Sequence, residues 1–390
     1  MDLNENPADR AFRREVQHFF ETEMPPALRA KGYGLEKPTR EELVEWHRIM
    51  HRRGWGVPAW PREFGGPGWT VGQQVIFEEE YYLAGAPRYM PQINMIGPVL
   101  QRYGTKAQQE RFLLRIATLD DWWCQGYSEP GAGSDLAALK TRARRDGDEY
   151  VVTGQKIWTS GSYWADWIFA LVRTSDEGKP AAGISFLLID MKSPGITARH
   201  IKGIDGAGTL ATVFFDEVRV PVENRVHEEN QGWTVAKYLL GFERTGQAAV
   251  GQCKLFLKLL KRVATRTLKN DRPVLDDPVF RRRVAGVEME LLAHQWTLLR
   301  TLSPTAQPHQ FSILKNRGAE IQQSLTALML ECAAPGLANA IPAGPATALE
   351  NADMPTPAAI LAAHLDFRKV TIYAGTTEIQ NGIIAKAVMN

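Results

Sequence analysis

The chain has 390 residues, of which 44% are hydrophobic and 23% are charged. This is an ordinary globular composition, and it excludes the disordered, collagen-like and disulfide-rich classes. The 46 Lys and Arg residues nearly balance the 44 Asp and Glu residues, so no charge field predicts binding to nucleic acid or to an anionic membrane. The length predicts two or three domains.

The features that report on cellular location all favour the cytoplasm. Cys124, Cys253 and Cys332 lie far apart without a CxxC motif, which indicates neither a disulfide framework nor a zinc site. The N-terminal segment carries early acidic residues and lacks the apolar stretch of a secretory signal. No apolar run reaches the roughly 20 residues of a membrane-spanning helix. We therefore expect a soluble cytoplasmic protein.

Helical periodicity extends from Pro7 to about Leu119, and a loop rich in Gly, Pro and Trp interrupts it at Gly54–Trp69. The following region contains short β-branched and aromatic segments separated by turn residues, which predict a small antiparallel sheet or barrel. The predicted strands are Glu149–Thr153, Trp167–Arg173, Ile184–Ile189, Ile196–Ile201 and Thr212–Val220.

The helical period returns after the sheet region and predicts a C-terminal bundle. The predicted helices lie within Val235–Lys269, Pro278–Arg300, Ser312–Glu331 and Ala358–Tyr373, and a loop rich in Pro, Gly and Ala occupies Pro335–Pro357. The chain therefore divides into a helical domain at 1–119, a β-domain at 120–227 and a helical bundle at 228–390.

Residues 125–135 combine hydroxyl groups with a turn. Tyr127, Ser128 and Ser134 accompany a proline and three glycines in GYSEPGAGSD. Closely spaced backbone N–H groups with hydroxyls suit a polar cofactor or a phosphate, whereas a tight turn between strands explains the same composition. The segment does not complete GxGxxG and has no βαβ pattern around it, so it does not predict a Rossmann site.

The segment Lys156–Ser162, with the sequence KIWTSGS, places an indole beside two hydroxyl groups. Trp158 is suited to lie on an aromatic ring system, and Ser160 is suited to hydrogen-bond a ring nitrogen. A core position is the commoner fate of a strand tryptophan, and it stays open as the alternative.

The segment Tyr373–Asn381, with the sequence YAGTTEIQN, forms a polar turn between apolar helices. Thr376 and Glu378 are its candidate ligand contacts. The alternative is a helix ended by Gly375 and a next helix capped by threonine.

His47 and His51 are four residues apart on a predicted helix, which is the spacing of a metal-binding pair. Two arginines flank the pair, and the sequence indicates no third ligand. We therefore predict no metal site. GxSxG and HExxH are also absent from the sequence, which excludes the hydrolase and metalloprotease classes that those motifs mark.

The motifs, taken in order, resemble the acyl-CoA dehydrogenase family over essentially the whole chain. The matching stretches are GWGVPAWPREFGGPGW, YSEPGAGSD, VTGQKIWTSGS, VFFDEVRVPVENRV followed by NQGW, and YAGTTEIQ. Each stretch is weak alone, and the set in this order is specific. The resemblance implies a mainly α fold with a central β-domain, made of an N-terminal α-domain, a β-barrel or sheet domain and a C-terminal four-helix bundle.

The resemblance implies that FAD lies between the β-domain and the bundle, with its adenine reaching a neighbouring subunit. The implied cofactor contacts are Gln125, Tyr127 and Ser128 at the flavin edge, Trp158 over the ring system, Ser160 near N5, and Thr376 and Glu378 at the ribityl, phosphate or adenosine portion. The implied substrate contacts are Ser134, at the pantetheine or phosphate part of the thioester, and Arg244, at the CoA.

The family's reaction is α,β-dehydrogenation of an acyl-CoA, in which a carboxylate takes the α-proton and the β-hydrogen leaves as hydride to flavin N5. The α-proton is weakly acidic, so the thioester carbonyl must be polarised by hydrogen bonds. The base must be desolvated enough to be basic near neutral pH. The resemblance implies an electron-transfer flavoprotein as the electron acceptor, and an acyl-CoA oxidase is the alternative.

The chain departs from the family pattern at the catalytic base. Many members carry an acidic residue immediately after the C-terminal tyrosine, where this chain has Ala374. Other members carry the base on a bundle helix just before an arginine, which here corresponds to Glu243 and Arg244. Glu243 lies in an apolar stretch, where burying a carboxylate is unfavourable unless it is paired or has a catalytic role. We predict that Glu243 is the base, and a surface pair with Arg244 is the alternative.

A second departure concerns the side of the subunit that would complete a neighbour's FAD site. The family's Arg-x-x-Phe-Gly segment corresponds to Arg266–Asn270, which lacks the aromatic residue and the glycine, and the Pro335–Pro357 loop replaces a glycine-rich segment. We expect either a homotetramer or a heterotetramer with a related subunit. A non-catalytic or half-site partner subunit of such a heterotetramer is the alternative function.

Overall fold

The computed structural model describes residues 6–87, 91–242, 246–302, 306–337 and 353–389. The chain divides into two compact units, and each is described by itself. The helical unit comprises Met1–Trp46, Trp69–Arg88 and Arg244–Asn390, and the sheet unit comprises His47–Gly68 and Tyr89–Glu243.

Along the chain, a first stretch of helices is followed by a stretch of strands and then by a second stretch that is mainly helical. The helices, in chain order, are α1 (Pro7–Glu23), α2 (Pro26–Tyr33), α3 (Arg40–Arg52), α4 (Val71–Leu83), α5 (Pro91–Asn94), α6 (Ile96–Tyr103), α7 (Lys106–Ala117), α8 (Gly232–Phe242), α9 (Val250–Arg266), α10 (Pro278–Thr301), α11 (Pro308–Leu337), α12 (Pro357–Asp366) and α13 (Thr377–Met389). The strands are β1 (Trp123–Gly126), β2 (Arg142–Asp146), β3 (Glu149–Ser160), β4 (Trp167–Arg173), β5 (Ile184–Asp190), β6 (Ile196–Ile201), β7 (Leu210–Pro221), β8 (Arg225–Val226), β9 (Leu268–Lys269) and β10 (Arg272–Pro273).

Side-chain caps fix the start of two helices. In α4, Thr70 accepts a hydrogen bond from the N–H of Gln73, and the Gln73 side chain accepts one from the N–H of Thr70. Thr105 and Gln108 form the same arrangement at the start of α7. Such a capping box satisfies N–H groups that the first turn of a helix leaves unpaired.

The core of the helical unit is built around α9 and α11. Leu259 and Leu260 of α9 and Leu314 and Leu325 of α11 are fully buried in one apolar cluster. α4 packs closely on α9 at Gly251, where a Cβ atom would lie 3.0 Å from the carbonyl oxygen of residue 78. Burial of this apolar surface is the main stabilising term for the bundle.

The sheet unit contains a mixed sheet with the strand order β6-β7-β3-β2-β4-β5-β8, and β1 also pairs with β4. β1 and β2 each run parallel to β4, whereas the other strand ladders in this sheet are antiparallel. The predicted small antiparallel sheet is therefore antiparallel in most of its ladders, with two parallel pairings at β4. β2 was not predicted because its sequence, RARRD, has a single buried residue and no apolar alternation.

The C-terminal helices differ from the prediction at three boundaries. The predicted helix Val235–Lys269 contains two helices, of which α8 ends at Phe242 and α9 begins at Val250. α11 continues two residues beyond Pro335, although this proline has no N–H to donate to the carbonyl four residues earlier. A short 3-10 helix follows α12, and α13 is a separate last helix. None of the helices in the described ranges is both long and apolar enough to span a membrane.

Candidate functional site

Two of the predicted motifs are joined in the sheet unit. The N–H of Ile157, in β3, donates to the carbonyl oxygen of Ser128 at 2.8 Å. Tyr127 is buried and makes edge-to-face contacts with Phe169 and Phe186, at centroid distances of 6.0 and 6.3 Å. The turn after β1 is therefore fixed on one side to β3 and on the other to the core of the sheet.

The remaining predicted contacts of this turn differ in exposure. Gln125 lies in β1, half-buried, opposite Phe169 of β4. Ser128 is also half-buried, whereas Ser134 is exposed at the far end of the motif. The first part of the motif is thus held against the sheet, whereas the predicted thioester contact Ser134 is open to solvent.

Trp158 lies in a β-bulge. From Lys156 to Thr159, β3 advances three residues while its partner β7 advances two, from Val213 to Ala211. Trp158 has a φ of 61°, which is uncommon for a residue other than glycine, and 57% of its surface is exposed. Bulges re-aim side chains, and this one turns the indole out of the sheet. The alternative of a core position for Trp158 is therefore wrong.

Hydroxyl groups surround the exposed indole in the sequence. Ser160 is exposed, whereas Thr159 and Ser162 are buried. The side-chain oxygens of Thr159 and Ser162 have no hydrogen-bond partner within the described part of the chain. A buried hydroxyl without a partner costs about 1–3 kcal/mol. An exposed aromatic face with nearby hydroxyls fits a flat ring system whose edge carries hydrogen-bonding atoms, which is the chemistry of the flavin ring.

The same two motifs are joined by a buried ion pair that the sequence analysis missed. The Nζ atom of Lys156 lies 2.7 Å from Oε1 of Glu129 and donates to the carbonyl oxygen of Tyr127 at 3.2 Å. The Glu129 carboxylate accepts hydrogen bonds from the N–H groups of Lys140 and Thr141, at 2.6 and 3.0 Å. Lys156 is fully buried and Glu129 is 8% exposed.

Burial and mutual attraction act in opposite directions on this pair. Burial lowers the pKa of Lys156 to about 8, although the charge of Glu129 opposes that shift. Burial alone would raise the pKa of Glu129, but the charge of Lys156 and its hydrogen bonds outweigh this and lower it. The pair is therefore ionic at neutral pH. Both residues lie inside the sequence motifs, and the available signal was an acid in the turn after β1 and a lysine within the strand motif.

The C-terminal motif, in the helical unit, forms the turn into α13. The hydroxyl of Thr376 accepts a hydrogen bond from the N–H of Ile379 at 3.3 Å, so the threonine N-cap, predicted as the alternative to a ligand contact, is present. Ala374 and Gly375 both have positive φ, at 53° and 83°. Glu378 is exposed in the first turn of α13, and hydrogen bonds from its own N–H and from Thr376 lower its pKa. The cofactor contacts of Thr376 and Glu378 stay predictions.

A cavity of about 30 Å³ lies near this turn within the helical unit. Its walls include Tyr373, Gly246, Gln322 and Lys315. The Nζ atom of Lys315 is buried and has no partner among the described residues. Burial lowers the pKa of Lys315, and the charge of Glu378 opposes this shift. A polar cavity of this size holds about one water molecule.

The predicted base is not placed by the structure. Glu243 and Arg244 lie outside the described residues, between the end of α8 at Phe242 and the short 3-10 helix that starts at Gly246. At the other family position for the base, Ala374 is half-buried and has no group that takes a proton. The role of Glu243 as the base and that of Arg244 at the CoA therefore stay predictions.

The Arg266–Asn270 segment forms part of a hairpin. Asn270 and Asp271 connect β9 to β10 and have φ values of 53° and 59°, as a two-residue type I′ turn requires. Arg266 makes a bidentate ion pair with Asp353, with N···O distances of 2.9 and 3.1 Å. Its guanidinium is thus bound within its own chain. The Pro335–Pro357 loop lies largely outside the described residues.

His47 is occupied by a structural hydrogen bond. Its Nε2 donates to the carbonyl oxygen of Ala117 at 2.7 Å, and the imidazole is 2% exposed. Burial lowers the pKa of His47 to about 4. No group of three or more metal-binding side chains occurs in the ranges that the structure describes.

Three family models match consecutive parts of the chain. They describe the acyl-CoA dehydrogenase N-terminal domain over residues 6–120, the middle domain over residues 124–218 and the C-terminal domain over residues 230–389. Together the three models cover most of the chain, in the order N-terminal, middle and C-terminal domain.

Known proteins align along nearly the whole length as well. Acyl-CoA dehydrogenase IpdE1 of Mycobacterium tuberculosis is 36% identical over 363 residues, which cover 92% of this chain and 90% of that protein. The ChsE4-ChsE5 complex from Mycobacterium tuberculosis aligns with a TM-score of 0.84 and 31% identity, over 100% of this chain and 99% of that chain. A structure described as the Tcur3481-Tcur3483 steroid ACAD aligns with a TM-score of 0.85 and 29% identity, over the same shares.

Proposed function

We propose, since this chain belongs to the acyl-CoA dehydrogenase family, that it dehydrogenates an acyl-CoA thioester between the α and β carbons with FAD as its cofactor. The family, the oxidoreductase class and the mainly α fold with a central β-domain are confirmed. The proposal extends to the division into domains at 1–119, 120–227 and 228–390. The observation that carries it is the indole of Trp158, which a β-bulge holds exposed beside hydroxyl groups.

The residues of the sheet unit would hold the ring of FAD. Trp158 would stack on it, and Ser160 and Ser128 would donate hydrogen bonds to its edge, together with Gln125 and Tyr127. The stacking is supported by the exposure of the indole, because an exposed aromatic face offers a flat apolar surface on which a ring system can stack. FAD, when bound, supplies the hydride acceptor of the reaction.

The residues of the C-terminal motif would hold the ribityl, phosphate or adenosine portion of the cofactor. The hydroxyl of Thr376 caps α13 and donates its proton to Glu378, and it would turn that proton to the cofactor when FAD binds. The exposed carboxylate of Glu378 suits a hydroxyl donor of a sugar rather than a phosphate, since two anions would repel. We therefore place Glu378 at the ribityl or adenosine part.

The α-proton would be taken by Glu243. The proposal rests on chemistry and sequence, because Ala374 removes the acid that many family members carry in the C-terminal turn. A general base must accept a proton within hydrogen-bond reach of the substrate. Glu243 is the acidic residue at the other position where family members carry the base, just before an arginine on a bundle helix. Arg244 would contact the CoA, and Ser134 would contact the pantetheine or phosphate part of the thioester.

A half-site or non-catalytic role in a heterotetramer is the second candidate function. The observation in its favour is the ion pair between Arg266 and Asp353, which engages the arginine that would otherwise serve a neighbour's cofactor.

We propose that the chain works in a tetramer with a related subunit, passes electrons to an electron-transfer flavoprotein and is cytoplasmic. A base on the bundle helix favours bulky, branched or long acyl groups, and the aligned steroid ACAD adds a steroid side chain to that range.

The test is an activity screen of the chain purified alone and together with a co-expressed related subunit. FAD content is measured first. Reduction of a dye acceptor is then measured with straight, branched, dicarboxyl, aromatic and steroid side-chain acyl-CoAs. We expect reduction with at least one acyl-CoA. A FAD-loaded assembly that reduces the dye with none of them would favour the non-catalytic role.

A further inference from the structure

We propose that Lys156 and Glu129 are a positioning pair that holds Ser128 and Trp158 in the geometry a flavin ring requires. The inference rests on the proposed function and adds residues that neither the motifs nor the family's implied contacts assigned. It concerns only the sheet unit, where all the contacts of the pair are described.

The pair connects three separate backbone segments through side-chain atoms. Lys156 of β3 donates to the carbonyl oxygen of Tyr127. Glu129 accepts from the N–H groups of Lys140 and Thr141. The turn after β1, the segment before β2 and the strand β3 are therefore fixed to one another at a single buried point.

The pair lies next to both proposed flavin contacts in the chain. Glu129 directly follows Ser128, and Lys156 precedes Trp158 by two residues, with the hydrogen bond from Ile157 to Ser128 between them. The bulge that turns Trp158 outward begins at Lys156. A shift of either charged side chain would consequently move the indole relative to the Ser128 turn.

Stability alone does not account for such a pair. A buried ion pair is often no more stabilising than apolar residues of similar size, because both charges lose their hydration. The hydrogen bonds to backbone groups give this pair a fixed geometry, and supporting contacts of that kind set the precision of a binding site. The other charged group that acts on Lys156 is Arg173 of β4, whose charge opposes protonation of the lysine.

The test compares Lys156→Met, the double variant Glu129→Gln/Lys156→Met and a control, Arg219→Met. Lys156→Met alone leaves a buried carboxylate unpaired, whereas the double variant removes both charges. Arg219 forms ion pairs with Glu149 and Asp146 on the surface of the same unit, so its loss controls for the removal of an ion pair. Thermal unfolding, FAD per chain, the flavin absorption spectrum, kcat and KM are measured at saturating FAD.

We expect the double variant to fold, to show a shifted flavin absorption spectrum and to lose about 10²-fold in kcat with little change in KM, since a displacement near 1 Å costs that much. Arg219→Met should match the wild type. A folded double variant with the wild-type flavin spectrum and a kcat within about threefold of the wild type would overturn the proposal.

A measurement on the wild type keeps the proposal testable if the variants fail to fold. Raising the pH through about 8 removes the proton of Lys156, so kcat should fall reversibly and the flavin spectrum should shift while FAD stays bound. A spectrum that stays constant from pH 7 to well above 8 would overturn the pair's role alone. A wild-type assembly that takes up no FAD would instead overturn the proposed function, and the pair's role with it.

Discussion

The N–H of Ile157 donates to the carbonyl oxygen of Ser128 at 2.8 Å, and this bond brings two distant motifs of the sheet unit together. The next residue after Ile157 is Trp158, whose indole is turned outward. The hydroxyl of Ser128 and the indole of Trp158 are thereby presented by one rigid piece of structure. A preorganised surface of this kind lowers the cost of ordering a ligand.

Replacing Trp158 and Ser160 together by alanine should cut FAD retention, or the rate at which bound FAD is reduced, well below the wild type. The substitution removes the exposed ring face and the nearby hydroxyl without disturbing buried residues. FAD per chain and substrate-driven flavin reduction check the prediction. Leu114→Ala, which removes another exposed apolar side chain, from α7, is the control. Unchanged FAD content together with unchanged reduction in the double variant would contradict the assignment.

The chain purified alone should bind less than one FAD per subunit and should gain FAD and activity when a related subunit is co-expressed. The physical reason is that Arg266 is held by Asp353 and that the segment after it lacks the family's aromatic residue and glycine. Flavin absorbance per chain and the mass of the assembly in solution check the prediction. A fully active homotetramer with one FAD per chain would show that it is wrong.

Thr376→Ala should remove a helix cap and, in addition, lower FAD retention. Loss of a threonine N-cap costs about 1 kcal/mol, so thermal unfolding should shift modestly. Thr105→Ala removes a comparable cap from α7 and should shift unfolding alone, with no effect on FAD. Thr376→Ser should restore both properties. If Thr376→Ala and Thr105→Ala retain FAD equally well, Thr376 is only a cap.

His47 should make the chain sensitive to acid. Burial lowers the pKa of His47 in the folded chain to about 4, below its ordinary value of 6.5, so between these two pH values only the unfolded chain binds the extra proton. The contribution of His47 to the free energy of unfolding is therefore fully present above pH 6.5. As the pH falls to about 4, the free energy of unfolding decreases by roughly 3 kcal/mol.

Urea unfolding at several pH values checks this prediction with His47→Gln, which keeps an N–H donor for Ala117 and does not titrate. The variant should lose less stability than the wild type between pH 6.5 and 4. His18→Gln, at an exposed position of α1, should lose as much as the wild type. Parallel pH curves for the wild type and His47→Gln would exclude the imidazole as the cause.

Most of the fold and the sequence motifs were predictable because their signals are local. Hydrophobic periodicity located the bundle helices, and β4 and β6 were predicted with their observed bounds. The outward position of Trp158 was not predictable, because a bulge exists only relative to the partner strand β7. Sequence alone favoured a core position for a strand tryptophan, and the register with β7 decides against it.

The ion pair of Lys156 and Glu129 shows a second limit of sequence analysis. The two residues are 27 positions apart, and nothing local in the sequence pairs them. Their contact follows from the order of strands, which places the turn after β1 over the end of β3. Glu243 illustrates the opposite case, because it lies outside the described residues and only the sequence supports its proposed role.

The most direct test of the central claim is acyl-CoA-driven reduction of bound FAD in the wild type, in Glu243→Gln and in the control Glu290→Gln, which alters an exposed acid of α10. Glutamine keeps the shape of the side chain and removes the proton acceptor. With the best substrate from the screen, Glu243→Gln should bind FAD and acyl-CoA normally and reduce the flavin about 10²–10⁴-fold more slowly, whereas Glu290→Gln should match the wild type. Reduction by Glu243→Gln within about threefold of the wild-type rate would contradict the assignment of the base.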